Sequence, residues 1–339
     1  MSGSDAAMGE RVAIRDLKLN EPVTSFFQAR NPQRRLRKTG EPFLTLLLGD
    51  GTGELPAVMW EDTEGVGEQL REGDLVKVHG VVGSYQGGRQ LTIHRIRLAR
   101  EGEAVLTDFL PTTEADATAM LAFLEQTIHS FTTEPLKRLL SRLFEEEGFR
   151  AAFGAAPAAK ELHHATLGGL LEHTVSVVKL CDAIVAHYGG AVDRDLLLAS
   201  AILHDVGKIF ELTWERGFDY SDEGRLLGHI TQGVLFVDEQ IEGTPEFPPR
   251  LRMELLHNIL SHHGEYAWGS PRRPKTLEAL ILHAAENLDG KVNLFLRLTR
   301  HHPDPYREGW TVFHRTFERP LFFGEPGPPG EDAGADEQR

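Results

Sequence analysis

Over the first hundred residues the apolar positions fall in short runs broken by turn residues, a pattern that predicts strands rather than helices. "PFLTLLLGDGTGELPAVMW", ending at Trp60, predicts a strand, a Gly-Asp-Gly turn and a second strand. The polar stretch "EDTEGVGEQLREGD" has room for one short helix. "LVKVHGVVGSYQGGRQLTIHRIRLA" predicts a longer hairpin whose Gln-Gly-Gly tip tolerates positive φ. Five strands with a short helix between the third and fourth is the order of an OB-fold barrel. From about Thr113 the apolar period becomes three and four, as in Leu121, Leu124, Ile128 and then Leu139, Leu140, Leu143. Helical runs are expected at 165–188, 194–206, 225–241, 250–262 and 276–300, with Thr112, Thr113 and Asp193 as N-caps.

The pattern therefore predicts a multidomain α and β protein: a small N-terminal five-stranded OB-fold barrel followed by an all-α domain. The expected divisions are a barrel over 10–100, a helical linker or subdomain over 101–160, a helical domain over 161–315 and a tail over 324–339. That tail, within "GEPGPPGEDAGADEQR", is rich in Pro, Gly and acid and is expected to be disordered.

Charge changes this picture only once it is divided. The net charge of −15 over 339 residues argues at first against a nucleic-acid partner. Yet residues 10–100 hold 14 Lys/Arg against 12 Asp/Glu, whereas residues 101–339 hold 22 against 38. The acidic balance thus belongs to the helical half. No apolar run approaches the ~18 residues of a membrane span, and Met1–Glu10 lacks the pattern of a secretory signal. The single cysteine, Cys181, excludes an internal disulfide framework and is expected as a small core residue. A cytoplasmic protein without membrane contact is expected.

Histidine is abundant, with 16 residues, most of them after residue 160. "LLLASAILHDVGKIFEL" places His204 and Asp205 in an apolar run, where unpaired polar groups are costly. His173, His229, His262 and His263, with Glu286 or Asp289, recur on or at the ends of other expected helices. A lone buried histidine is usually a satisfied core residue; five helices each offering an imidazole or carboxylate suit Mn, Fe, Zn or Mg. The donors exceed one ion's needs. His173, His204, Asp205 and a late acid could hold one ion and His229, His262 and His263 another, with Asp205 bridging, which is the arrangement that clamps a phosphate. Lys208, one turn beyond Asp205, could offer charge to a phosphate oxygen.

"HHATLGGLLEHTVSVVKL", "AILHDVGKIFEL", "GRLLGHITQG" and "ILSHHGEYAWGSPRRPKTLEALILHAAENLDGKVN" together resemble the HD superfamily of metal-dependent phosphohydrolases and, more narrowly, the YhaM-type 3′→5′ exoribonucleases. These are bacterial proteins with an N-terminal OB-fold and a C-terminal HD domain, and the resemblance runs from about Pro22 to Phe313. It implies metal binding by His173, His204, Asp205, His229, His262 and His263; with the two donor sets read above, the expected mechanism is a two-metal phosphodiesterase in which Asp205 and Lys208 are catalytic. The implied cofactors are two divalent ions, Mn first, with Mg, Fe or Co as alternatives. The family pattern has Asp where "AENL" here puts Glu286, so either Glu286 or Asp289 closes the site. His163 and His164 fall in the matched region as candidate substrate contacts.

The expected partner is single-stranded RNA, with single-stranded DNA as a second candidate; a homo-oligomer is left open. Expected nucleic-acid contacts are Arg30, Arg34, Arg35, Arg37 and Lys38 in a first loop, Tyr85 and Arg89 at the hairpin tip, and Arg272 and Lys275 in "GSPRRPKT". Phe26, Phe27, Phe43, Trp60 and Tyr85 are candidate base-stacking faces. Two other readings compete: a phosphohydrolase of a small nucleotide with a regulatory barrel, and a non-catalytic RNA-binding protein whose metal only staples helices.

Overall fold

The computed structural model of the chain describes residues 11–61, 66–85, 88–160, 166–214, 217–300 and 309–324. The expected strands are β1 (Pro22–Leu36), β2 (Pro42–Asp50), β3 (Gly53–Met59), then a short helix α1 (Val66–Gln69), then β4 (Leu75–Tyr85) and β5 (Gly88–Leu98). They close into a barrel in the order β1-β2-β3-β5-β4, with β3 and β5 parallel and the other pairs antiparallel. Closure depends on β1, which is long enough to serve two neighbours. Pro22–Gln28 pairs with β4 and Gln28–Leu36 with β2, and a bulge between Arg30 and Gln33 bends the strand, with Asn31 at φ +48°. Phe27, Leu48, Val76, Val78 and Leu91 fill the interior. Ile14, in a 3-10 turn ahead of β1, plugs one end, its N–H donating to Asp50 Oδ2 at 2.8 Å.

The basic segment expected as a loop is therefore largely strand. Arg30, Arg34 and Arg35 lie in β1, and only Arg37 and Lys38 lie in the loop after it. Pairing Arg34 with Leu44 and Leu36 with Pro42 carries the ladder beyond the bulge, which the run of charges conceals. Phe26 and Phe27 are both buried: Phe27 points into the barrel, and outward-facing Phe26 is covered by Lys77, whose Nζ lies 4.9 Å from the ring centre.

The helical half comprises α2 (Ala117–His129), α3 (Glu134–Glu145), α4 (Glu147–Ala155), α5 (Gly169–Tyr188), α6 (Arg194–Leu203) and α7 (Lys208–Glu211). An antiparallel pair of two-residue strands, β6 (Leu212–Thr213) and β7 (Asp219–Tyr220), comes next, then α8 (Asp222–Glu242), α9 (Pro249–Ser261) and α10 (Leu277–Arg300). Asp193 caps α6 as expected, accepting from Leu196 N. Thr112 and Thr113 do not cap α2. They are held by a bridge between Thr112 and Leu167 and by the Thr113 hydroxyl donating to Glu172, so Asp116 takes the N-cap position.

The stretch over 101–160 shares one hydrophobic core with the later helices. Leu124, Leu139 and Phe153 pack in the same cluster as Leu171, Leu197, Ile259 and Leu282. Buried Asp195, on the first turn of α6, accepts from the N–H groups of Thr132 and Thr133 at 2.7 and 2.8 Å and ties α6 to the start of α3. Cys181 is fully buried, and burial pushes its thiol up to about 12. Among the described residues no helix is long and apolar enough to cross a membrane.

Candidate metal centre

From Leu196 to Leu203 α6 is buried throughout and apolar apart from Ser200, so the residues at its C-terminal end are delivered to the middle of the helical core. His204, the first residue past α6, turns its Nδ1 to the Ala201 carbonyl at 2.8 Å. α9 ends the same way: His262 turns its Nδ1 to the Ile259 carbonyl at 2.7 Å. In each case the ring satisfies a carbonyl that the helix end leaves open. The chain then turns through Asp205–Gly207 into α7, which lies against α8. A Cβ on Gly207 would sit 2.0 Å from the His229 carbonyl oxygen, so only glycine permits that approach. Gly228, at φ +71°, kinks α8 immediately before His229 and sets its entry to the site.

Five imidazoles are oriented by the same device. His173 Nδ1 meets Asp289 at 2.7 Å, His229 Nδ1 meets Glu211 at 3.1 Å and His263 Nδ1 meets the Trp268 carbonyl at 3.0 Å. With His204 and His262, every ring spends Nδ1 on an oxygen and leaves Nε2 for the interior. An outer hydrogen bond of this kind fixes the tautomer of metal-ligating histidines. His283 adds support from outside, its Nδ1 donating to the His262 carbonyl at 2.8 Å.

Asp205 lies between the rings. Its Oδ2 is 3.6 Å from His173 Nε2 and 3.4 Å from His204 Nε2. Its Oδ1 is 3.5 Å from both His229 Nε2 and His262 Nε2. Two donor sets result, His173–His204–Asp205 and His229–His262–His263, the ligand atoms within each lying within 4.8 Å of one another. Asp205 Oδ1, His229 Nε2 and His262 Nε2 are buried and have no hydrogen-bond partner. A folded interior rarely tolerates three such atoms together without a ligand, and imidazole plus carboxylate is the donor set of first-row divalent cations.

The electrostatics keep the donors ready. Burial lowers His173 and His263 to about 4 each and takes His262 well below its ordinary value, so these rings are neutral. Burial would also lower His204, but the Asp205 carboxylate outweighs it and the net shift is upward. Burial would raise Asp205, yet Lys208 and His204 hold it well below the usual carboxylate range. Lys208 is itself buried, its Nζ 2.7 Å from Asp205 Oδ2, which excludes a solvated lysine.

The two late acids occupy different places. Asp289 accepts from His173 and from the Ser176 hydroxyl, so it holds a donor ring rather than facing the centre. Glu286 lies outside both donor sets; burial and the Asp205 charge raise its carboxyl to about 7. Glu211 was not singled out in the sequence, although an acid one turn after Lys208 was a readable signal. His163 and His164 lie outside the described residues.

Beside the centre is a cavity of about 430 Å³ lined by His263 and Glu286 together with Trp268, Lys291 and Arg315. Arg272 and Lys275, expected as nucleic-acid contacts, are exposed and do not line it; the cations that do come from α10 and from the segment 309–324.

On the barrel, Arg30 is committed to Glu54 at 2.6 Å, and Arg89 donates to the Leu17 carbonyl at 3.0 Å. Arg34, Arg35 and Lys38 are exposed. Trp60 stacks on Phe43 at 5.0 Å with the Arg37 guanidinium 5.0 Å from its ring, and Tyr85 is exposed at the hairpin tip.

A family model described as an HD domain matches residues 170–291, and one described as an OB-fold nucleic acid binding domain matches residues 30–99. Three similar proteins carry the name 3′-5′ exoribonuclease YhaM. That of Geobacillus sp. (strain WCH70) is 35% identical over 308 residues, covering 90% of this chain and 94% of that protein. Those of Bacillus velezensis and Bacillus subtilis (strain 168) are 36% and 35% identical, each covering 90% of this chain and 97% of the relative.

Proposed function

Because the chain belongs to the family of YhaM 3′-5′ exoribonucleases, we propose that it hydrolyses single-stranded RNA from the 3′ end to nucleoside monophosphates at the centre around Asp205. Single-stranded DNA is the second substrate to be tested. The observation that carries the reading is the buried Asp205 carboxylate, with each oxygen turned to a different pair of imidazole Nε2 atoms and Oδ1 left without a partner.

His173, His204 and Asp205 would hold one divalent cation and His229, His262 and His263 a second, with Mn first and Mg, Fe or Co as alternatives. Glu286, half-buried and close enough to feel the Asp205 charge, is the acid proposed to complete the first set, Asp289 being engaged with His173. Bound there, such ions supply Lewis acidity to a phosphoryl oxygen and lower the pKa of water.

The chain's own residues do the rest. Asp289 and Glu211 hold the His173 and His229 rings in register. Asp205 ties the two donor sets together. Lys208, buried against Asp205, keeps positive charge where negative charge builds on the phosphate. Water adds to the terminal phosphorus, the bond to the preceding O3′ breaks, and the new 3′ hydroxyl takes up a proton. The barrel over 10–100 grips the strand through Arg34, Arg35, Arg37 and Lys38, with Trp60 and Tyr85 as stacking faces. The helices over 161–315 carry the chemistry, those over 101–160 brace them, and the tail over 324–339 has no assigned part.

The test incubates wild type and Asp205→Ala with 5′- and 3′-labelled RNA and DNA single strands in Mn²⁺, Mg²⁺ or chelator. The expected result is a ladder from the 5′ label and free mononucleotide from the 3′ label, with Asp205→Ala slower by roughly 10³-fold. Internal cuts, shortening from the 5′ end or an undiminished variant contradict the proposal.

A further inference from the structure

The cavity beside His263 and Glu286 is made by three separated parts of the chain. Trp268 comes from the turn after α9, Lys291 from α10, and Arg315 from the segment 309–324. That segment folds back on itself, Trp310 bridging Phe322 and His314 bridging Arg319, and its Phe317 ring meets Phe295 of α10 edge-on at 6.5 Å. Its place against α10 brings the Arg315 side chain to the cavity.

Three features of the wall are not explained by packing. Trp268 is 51% exposed, unusual for so large an apolar residue beside a buried centre. It is nevertheless fixed: His283 lies against it at 5.9 Å, Lys291 Nζ is 5.6 Å from the ring centre, and its carbonyl accepts from His263 Nδ1. Lys291 and Arg315 both face the cavity, and neither has a carboxylate partner among the described residues, although Glu318 shares the wall. A volume of about 430 Å³ lies in the range of small-molecule sites.

We propose that this cavity binds the 3′-terminal nucleotide of the strand, and after hydrolysis the nucleoside 5′-monophosphate, with the base stacked on Trp268 and the phosphate met by Lys291 and Arg315. The assignment of this nucleotide as the leaving one rests on the exoribonuclease reading; the nucleotide site itself does not. Stacking on an exposed indole tolerates any base, which suits an enzyme that removes residues in succession. Breaking the P–O3′ bond leaves the phosphate on the released nucleotide, next to the two cations of this wall.

The test is titration calorimetry of the full chain with adenosine 5′-monophosphate and with ribose 5-phosphate, which lacks the base. Wild type is expected to bind the nucleotide more tightly than the sugar phosphate. Trp268→Ala is expected to weaken the nucleotide by about 5- to 150-fold, the range of one stacked base, while leaving the sugar phosphate unchanged. Arg315→Ala is expected to weaken both, and Trp268→Phe, which keeps a stacking face, to restore most of the affinity. The KM for RNA should change in the same order. Equal affinity for the two ligands, no binding by wild type, or nucleotide affinity unchanged in Trp268→Ala overturns the site. Wild type that binds the nucleotide yet shortens no RNA overturns the exoribonuclease reading and leaves the site standing.

Discussion

In the barrel, Arg30 reaches Glu54 at 2.6 Å and Arg37 reaches Glu41 at 3.3 Å, each pair with an exposed carboxylate. Around Asp205 the polar groups are buried, and three of their atoms have no hydrogen-bond partner. An exposed cation can exchange a carboxylate for water at small cost, so its pairing in the free protein says little about what it binds. A buried donor has no such alternative. Unmatched polarity in the helical half is thus strong evidence for a ligand, whereas excess charge on the barrel is only permissive.

The sharpest way to stress this contrast is to change the outer support of the centre. Asp289→Asn and Glu211→Gln keep the shape around His173 and His229 but weaken the charge that holds each ring. Each is expected to lower metal affinity and RNA turnover by roughly 10- to 100-fold, measured by metal titration and initial rates. A change below about twofold in both would mean that the rings are set by packing alone.

The barrel should respond by less and in a different variable. Arg35→Ala with Lys38→Ala, both exposed, should weaken RNA binding and flatten its dependence on salt by about 0.7 in log–log slope for each lost phosphate contact. Arg30→Ala and Arg89→Ala should instead act on the fold, because these side chains are engaged with Glu54 and with the Leu17 carbonyl. A salt slope unchanged in the Arg35/Lys38 variant would remove β1 and its loop from the RNA path.

Legibility in the sequence divides along the same line. Short apolar runs broken by turn residues located the strands, and the period of three to four located the five long helices, because those patterns are local. His204, Asp205 and the other imidazoles were legible because costly residues in apolar runs need a reason. The β1 ladder beyond Arg30 was not, since it depends on pairing with Leu44 and Pro42 across a bulge. The separate roles of Glu286 and Asp289 were not legible either. Both sit on α10, one turn apart, and only the approach of His173 and Ser176 from α5 shows which is engaged. The wall of the nucleotide cavity joins residues 268, 291 and 315, a convergence that no local pattern encodes.

If Asp205 joins two ion sites, the number of ions bound must depend on it. Metal-free protein dialysed to equilibrium against manganese and analysed by plasma mass spectrometry counts the bound ions directly. The expected result is about two ions per wild-type chain and loss of both in Asp205→Ala. One ion per wild-type chain, or two retained in the variant, would contradict it.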